Sequence, residues 1–369
     1  MEQMILQDIC KVCDCPHTTA KDEGIGIPLV RTPNIGKGRL LLTNAHRVNS
    51  DIYQERTRRA IPEEDDIIIA REAPVGNAAI IQMGQKVCLG QRVVLLKPIR
   101  DRVDPNYLVY YLLSDEIQHR LRIHANGAVV AHLNMADIRN LPVSLPSLSE
   151  QKKIGRVLKI IDDKIELNRR INDNLEQQAQ ALFKSWFVEN ASYSGVSISE
   201  YFLPNRGKNL LVSDAKGGIT PVVAGGLTPS AFHNVANTKA PVITISASGA
   251  NAGFVNLWGI PVWAADSSYI DSTIVSNIYF WYNLLKYNQK NIYESQTGSA
   301  QPHIYPKHIG NLLIPDLDMR KVECYESIVT SMYLQINEIQ QETKFLSDLR
   351  DTLLPKLMSG ELKINDLNC

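Results

Sequence analysis

The chain has no surplus of either charge: Lys plus Arg and Asp plus Glu number 39 each in 369 residues. Nonspecific affinity for phosphate polymers comes from clustered positive charge, so a stand-alone polyanion binder is not indicated, although DNA contact assisted by a basic partner stays open. No apolar run reaches the ~18 residues that a membrane-spanning helix needs, and Met1-Glu2-Gln3-Met4 lacks the charged-then-apolar opening of an export signal. The six cysteines, Cys10, Cys13, Cys15, Cys88, Cys324 and Cys369, make no regular disulfide framework for a chain of this length. The expectation is a reducing cytoplasm and no membrane.

Catalytic motifs are missing as well. Ile35-Gly36-Lys37-Gly38 lacks the upstream Gly and the hydroxyl residue of a phosphate-cradling loop. There is no Gly-x-Gly-x-x-Gly cofactor loop after a strand, no Asn-Pro-Pro-aromatic stretch, no His-Glu-x-x-His and no Gly-x-Ser-x-Gly. Cys10, Cys13, Cys15 and His17 are too cramped for a standard structural zinc site, and no second ligand pair follows, so no metal is expected. These absences agree with a binding role.

What is present is a duplication. Gly127, His132, Ile138, Asn140, Leu141, Ile165, Leu175 and Leu182 recur as Gly298, His303, Ile309, Asn311, Leu312, Ile336, Leu346 and Leu353, each pair 171 positions apart. A repeat of this size means two copies of one domain-plus-helix unit. The apolar fraction of 44% allows each copy a core.

Four segments follow: 1–146, 147–190, 191–317 and 318–369. The first and third mix short strand-like runs, such as Ile67-Ile68-Ile69, Val93-Val94-Leu95-Leu96 and Pro241–Ile245, with turns and a helix expected near Tyr107–Leu121. The second opens on Ser147-Leu148-Ser149-Glu150, a capping box. Its apolar seam is Ile154, Leu158, Ile161, Ile165, Leu175, Ala179, Leu182 and Trp186, with Asn168 and Asn172 filling two places. About 40 residues at 1.5 Å each give a helix of roughly 60 Å. In the fourth segment the seam runs through Tyr325, Val329, Met332, Ile336, Ile339, Thr343, Leu346, Arg350, Leu353 and Leu357, and Pro355 and Gly360 bend and end the helix. Two matched seams predict antiparallel packing about a pseudo-two-fold axis, with the globular domains at opposite ends of a rod. Such a shape suits duplex DNA with half-sites about one helical turn (~34 Å) apart.

Several stretches carry a family resemblance: Cys15-Pro16-His17-Thr18-Thr19, Ala70–Gly76 (AREAPVG), Gly127–Asn134 (GAVVAHLN), Leu145–Ile154 (LPSLSEQKKI) and Thr297–Ile304 (TGSAQPHI). With the repeat, they resemble the specificity subunit of type I restriction–modification enzymes, over nearly the whole chain. The second helix departs from the pattern, opening on Pro315–Arg320 (PDLDMR) instead of Pro-Leu-x-Glu-Gln. The resemblance implies an α+β fold: two globular target recognition domains (1–146 and 191–317) alternating with two long antiparallel coiled-coil spacer helices (147–190 and 318–369). It also implies double-stranded DNA with a split, asymmetric target, two methyltransferase subunits docked on the helices, and restriction/translocase subunits joining them. S-adenosylmethionine, ATP and Mg would be bound by those partners.

Base reading needs directional side chains: Arg for guanine, Asn or Gln for adenine, Ser or Thr for either. Turn-adjacent candidates are His17, Thr18, Thr19, Arg31, Asn34, Arg71, Gln91, Arg92 and His132 in the first copy, and Ser248, Asn251, Ser299, Gln301 and His303 in the second. The bland reading of each is a loop residue or a structural hydrogen bond; the two histidines would then hold the turn before the long helix. Arg56, Arg58 and Arg59 are followed by Glu63, Glu64, Asp65 and Asp66, which reads as a balanced, solvated face. Asn168 and Asn172 are expected to fix helix register. Two other functions compete: a coiled-coil adaptor without DNA specificity, and an unrecognised enzyme using Cys88 or a histidine. Two differing copies joined by rulers fit bipartite recognition better than catalysis.

Overall fold

Ile67–Ala70 and Val93–Leu96 offer no polar side chain to either face, so each must be covered on both sides, and each becomes an interior strand. The structure, a computed structural model, describes residues 2–124, 132–189, 191–298 and 301–364. The chain forms two units: Met1–Ile165 with Phe345–Cys369, and Glu166–Lys344.

The first unit contains β1 (Glu2–Ile5), α1 (Leu6–Ile9), β2 (Cys10–Asp14), β3 (Ile27–Val30), β4 (Gly38–Arg39), β5 (His46–Val48), α2 (Ser50–Arg56), β6 (Ile67–Ala70), β7 (Ala78–Ile80), β8 (Cys88–Leu89) and β9 (Val93–Pro98). There follow α3 (Pro105–Leu113), α4 (Asp115–His124), α5 (Met135–Arg139), β10 (Pro142–Leu145) and the start of α6 (Leu148–Phe187). A five-stranded sheet has the order β2-β9-β6-β7-β4, a three-stranded sheet the order β5-β3-β8, and β1 pairs with β10. Ile67, Ile69, Val94 and Leu96 face a core shared with α3 and α6, while Ile68, Ala70, Val93 and Leu95 face a second one. The predicted Tyr107–Leu121 helix is two helices. Ser114 takes extended backbone (ψ 149°), and its hydroxyl donates to the Tyr111 carbonyl at 2.7 Å, ending α3.

The second unit contains β11 (Asn205–Arg206), β12 (Thr220–Val223), β13 (Ala231–His233), β14 (Val242–Ser246), β15 (Val255–Trp258), β16 (Trp263–Ala264) and β17 (Ser267–Asp271). Its helices are α7 (Ile278–Tyr287), α8 (Gln289–Glu294), α9 (Pro306–Gly310), residues 166–187 of α6 and residues 319–344 of α10 (Met319–Ser359). The sheets are β11-β17-β14-β15 and β13-β12-β16. Phe183, Phe187, Phe280, Trp281, Tyr325 and Tyr333 fill the core against Ile243, Ile245 and Ile270.

The two units share one topology. β3 pairs antiparallel with β5 and parallel with β8; β12 pairs antiparallel with β13 and parallel with β16. Gln118 donates to the Gly76 carbonyl at 2.9 Å, and Gln289, 171 positions later, donates to the Gly253 carbonyl at 2.7 Å. Both glycines are left-handed, at φ +84° and +88°.

The copies cap their domain helices in opposite ways. In the first, the Asp104 carboxylate accepts from the Tyr107 amide at 2.9 Å at the start of α3. Gly155 of α6 lies against this turn: a Cβ there would stand 2.6 Å from the Tyr107 nitrogen and 2.7 Å from Asp104 Oδ1. In the second, Asn277 makes no side-chain cap on α7. Glu326 of α10, the repeat partner of Gly155, accepts instead from the Tyr279 and Phe280 amides at 3.1 and 2.7 Å. Burial pushes both the Asp104 and the Glu326 carboxyl groups up.

Ser147 caps α6, its hydroxyl accepting from the Glu150 amide at 3.4 Å. In the first unit α6 buries Ile154, Leu158, Ile161 and Ile165, while Leu353 and Leu357 of α10 pack in the same core as Ile154 and Leu158. Asp162 there holds Arg350 at 2.8 Å. In the second unit Leu175, Leu182, Met332 and Ile336 pack in the core, Asn168 donates to Glu342 at 2.7 Å and Tyr325 donates to the Ala179 carbonyl at 2.9 Å. Partner numbers fall on one helix as they rise on the other, so the pairing is antiparallel in each unit. Ile339 and Leu346 are only half-buried. Asn168 is 1% exposed, and its Oδ1 and that of Asn172 lack a hydrogen-bond partner. α10 accommodates Pro355 and ends before Gly360, at φ +78°.

Candidate nucleic-acid interface

Most of the first copy's candidates gather at one end of its five-stranded sheet, where β2 and β6 finish and β9 begins. Arg71 follows β6 and is 7% exposed. Its guanidinium donates to the Leu133 carbonyl at 2.9 Å and to Asp14 Oδ1 at 3.1 Å, and lies 2.9 Å from His132 Nε2. His132 Nδ1 stands 3.4 Å from Glu72, whose other oxygen takes Arg92 at 2.8 Å. Asp14 Oδ2 meets His17 Nε2 at 3.1 Å. Four candidates thus form one network through Asp14 and Glu72. Thr19 donates to Gln91 at 3.4 Å beside it, and Arg92 adopts the left-handed conformation (φ +67°) uncommon for a side-chain-bearing residue.

Three expectations need correction. Arg71 is a buried strut, each of whose three guanidinium nitrogens faces a partner within the chain. Asn34 is 6% exposed; it accepts from the Arg31 amide at 3.0 Å and donates to the Leu41 carbonyl at 3.2 Å, so its amide is buried and ties its own turn. Arg56 is 5% exposed and belongs to no solvated face: it donates to the carbonyls of Leu89 and Thr18 at 2.8 and 2.9 Å, while Arg58 and Arg59 are exposed. Arg31 follows β3, half-buried, with its Nε unpartnered.

In the second unit the same backbone frame recurs. The Arg71 amide donates to the Arg92 carbonyl and the Leu133 amide to the Arg71 carbonyl, at 3.0 and 2.9 Å. The Ala247 amide likewise donates to the Asp266 carbonyl and the Ile304 amide to the Ala247 carbonyl, at 3.1 and 2.9 Å. The side chains on this frame differ. Ala247 stands for Arg71, Asp266 for Arg92 and Ser248 for Glu72. Ser248 donates to Asp266, which also takes Arg206 at 2.6 Å. Asn251 donates to the Gly225 carbonyl at 3.4 Å. His303 pairs its backbone with Ser248 and Thr297, and its ring lies 6.0 Å from that of Tyr305 at 16°. Gln301 is exposed, and Ser299 lies outside the described residues.

Asp14, Glu72, Arg206 and Asp266 were missed. Glu72 stands inside the quoted Ala70–Gly76 stretch, and Asp266 directly precedes a strand as Arg92 does, so both carried a local signal; Asp14 and Arg206 carried none.

The chemistry elsewhere is quiet. Burial pushes the Cys88 thiol up to about 11, so it stays protonated at neutral pH. Cys10 faces one core while Cys13 and Cys15 face the other, so the three cannot converge on a metal. No group of three or more His, Cys, Asp and Glu among the described residues is arranged to hold a metal ion. None of the described helices is long and apolar enough to cross a membrane.

Residues 1–177 match the type I restriction modification DNA specificity domain. The chain is 25% identical to the type I restriction enzyme MjaIX specificity subunit of Methanocaldococcus jannaschii, across 87% of this chain and 82% of that protein. Over these spans the chain is similar to the specificity subunits of type I restriction–modification systems. A shorter match, 30% identical over 139 residues, is to the HindI specificity subunit of Haemophilus influenzae, covering 36% of this chain and 30% of that one. The fold of this chain is also that of the S subunit of a type I restriction–modification system from M. genitalium, with a TM-score of 0.60, 19% identity, and 96% and 95% of the two chains covered.

Proposed function

We propose that this chain reads a bipartite, asymmetric site in double-stranded DNA, one half with each unit. The observation behind it is the shared backbone frame carrying different side chains. At the same place one copy sets Arg92, paired with Glu72, and the other sets Asp266, paired with Arg206 and Ser248. Arginine matches guanine, while a carboxylate accepts from cytosine and repels phosphate. Two frames of one design carrying different side chains suit two different half-sites. The reading surface would comprise the exposed or half-exposed His17, Thr18, Thr19, Gln91, Arg92 and His132 in the first unit, and Ser248, Asn251, Gln301 and His303 in the second.

The long helices would carry two methyltransferase subunits, with restriction/translocase subunits joining them in the cytoplasm. This chain would do no catalysis; S-adenosylmethionine, ATP and Mg would act in the partners. The test is a long-read methylome of the host with and without the gene. One split adenine-methylated motif should vanish with the chain. Exchanging residues 191–317 for a relative's segment should then change one half of that motif. A change in both halves, or none on deletion in a host that methylates, refutes the two-reader model.

A further inference from the structure

Repeat positions place an ion pair in one unit and neither of its members in the other. In the first unit Asp162 is 4% exposed at the side chain and holds Arg350. Counting 171 positions along or back, Asp162 becomes Tyr333 and Arg350 becomes Ala179. In the second unit Tyr333 walls a small open cavity of about 80 Å³ between α6, α7 and α10. Tyr279 stacks on Tyr333 at 4.8 Å and 7°, and Tyr282 meets Tyr333 edge-on at 5.7 Å. Glu176 supplies a carboxylate, and Asn337 and Gln340 add amide oxygens. Asn337 is backed by Gly259, where a Cβ would stand 2.2 Å from its Oδ1, so that wall is set by close packing.

Among the described residues no Lys, Arg or His lines this cavity, and the one partner of Glu176 is the Tyr282 hydroxyl, which donates to it. An apolar occupant would strip water from the carboxylate without replacing it, and an anion would be repelled. A cation gains the carboxylate, the amide oxygens and the electron-rich rings together.

We infer that this cavity receives a lysine or arginine side chain from a protein partner. The space would hold one ammonium or guanidinium head. The inference rests on the scaffold reading, with the methyltransferase subunit as that partner. Among the described residues, the carboxylate at the matching place in the first unit, Asp162, already holds Arg350, so two identical partner copies would meet different contacts.

The experiment measures affinity of the full chain for its methyltransferase subunit. Glu176→Gln keeps an acceptor for Tyr282 and removes the charge; Tyr282→Phe removes that hydrogen bond and keeps the charge. The expected result is at least a ten-fold loss of affinity at one of two sites for E176Q, with Y282F within two-fold of wild type. E176Q binding like wild type, or both variants losing equally, overturns the inference. Should wild type itself not bind the methyltransferase, the scaffold reading fails, and crystals soaked in n-butylammonium chloride decide about the cavity. An ammonium beside Glu176 in wild type and not in E176Q supports it; an empty cavity sinks it.

Discussion

Removing the Arg350 guanidinium should selectively weaken the first unit. Arg350 is one-fifth exposed at the side chain, Asp162 only 4%. Asp162 also accepts from the Tyr110 hydroxyl at 2.7 Å, and burial raises that phenol far above its ordinary range, so it remains a donor. Deleting one member of a buried pair costs about 3–5 kcal/mol, because the other charge is left unmatched. Tyr110 still serves Asp162, so Arg350→Ala should fall near the lower end, about 3 kcal/mol. The triple replacement Tyr110→Phe, Asp162→Leu and Arg350→Met removes both charges and the hydroxyl that would otherwise lose its acceptor, and should return within about 1 kcal/mol of wild type. The assay exploits tryptophan placement: Trp186, Trp258, Trp263 and Trp281 all lie in the second unit. In R350A, amide exchange in α3, β6 and β9 should accelerate about 100-fold, while the urea midpoint from tryptophan fluorescence stays put. An R350A cost below about 1 kcal/mol, or a triple variant as unstable as the single, refutes the reasoning.

Three more outcomes are expected. Gly155→Ala should destabilise the first unit by about 1–3 kcal/mol through the clash with Tyr107 and Asp104, against the gain of about 1 kcal/mol usual for this change within a helix; circular-dichroism melts decide the sign. Asn168→Leu with Asn172→Leu removes two buried acceptors that lack partners and should stabilise the second unit by about 1–3 kcal/mol, read as a higher tryptophan-fluorescence midpoint; an unchanged midpoint means neither oxygen is buried in solution. The Glu326 carboxyl titrates above its ordinary value of 4.5. The folded chain therefore keeps a proton that the unfolded chain has released, and stability falls as pH rises from near 4.5 through the raised value. Glu326→Gln should flatten Tm against pH over that interval, and an unchanged slope would assign it to other groups.

The long helices were legible because a seam must repeat every turn, and Ile165/Ile336 and Leu182/Leu353 keep one spacing. The shared sheet topology was not, because the spacing drifts. Pro28 and Pro221 hold the same strand position 193 places apart, Gln118 and Gln289 171 apart, the first copy having longer connections between. Within the site, the histidines were legible through the repeat. The burial of Arg71 was not, because it depends on Asp14 and Leu133, 57 and 62 residues away, arriving at one sheet end. Asn34 misled for a local reason: a polar turn residue looks the same whether it faces solvent or ties its own turn.

The reciprocal caps give each slot its own fitting. A domain cut from residues 191–317 would bring α7 with an uncapped Asn277. Grafted in place of 1–146, its helix start would meet Gly155, which has no carboxylate to offer. The reverse graft would set Asp104 against Glu326, two acids at one helix end. Moving a globular segment across slots within this chain therefore requires changing position 155 or 326 along with it.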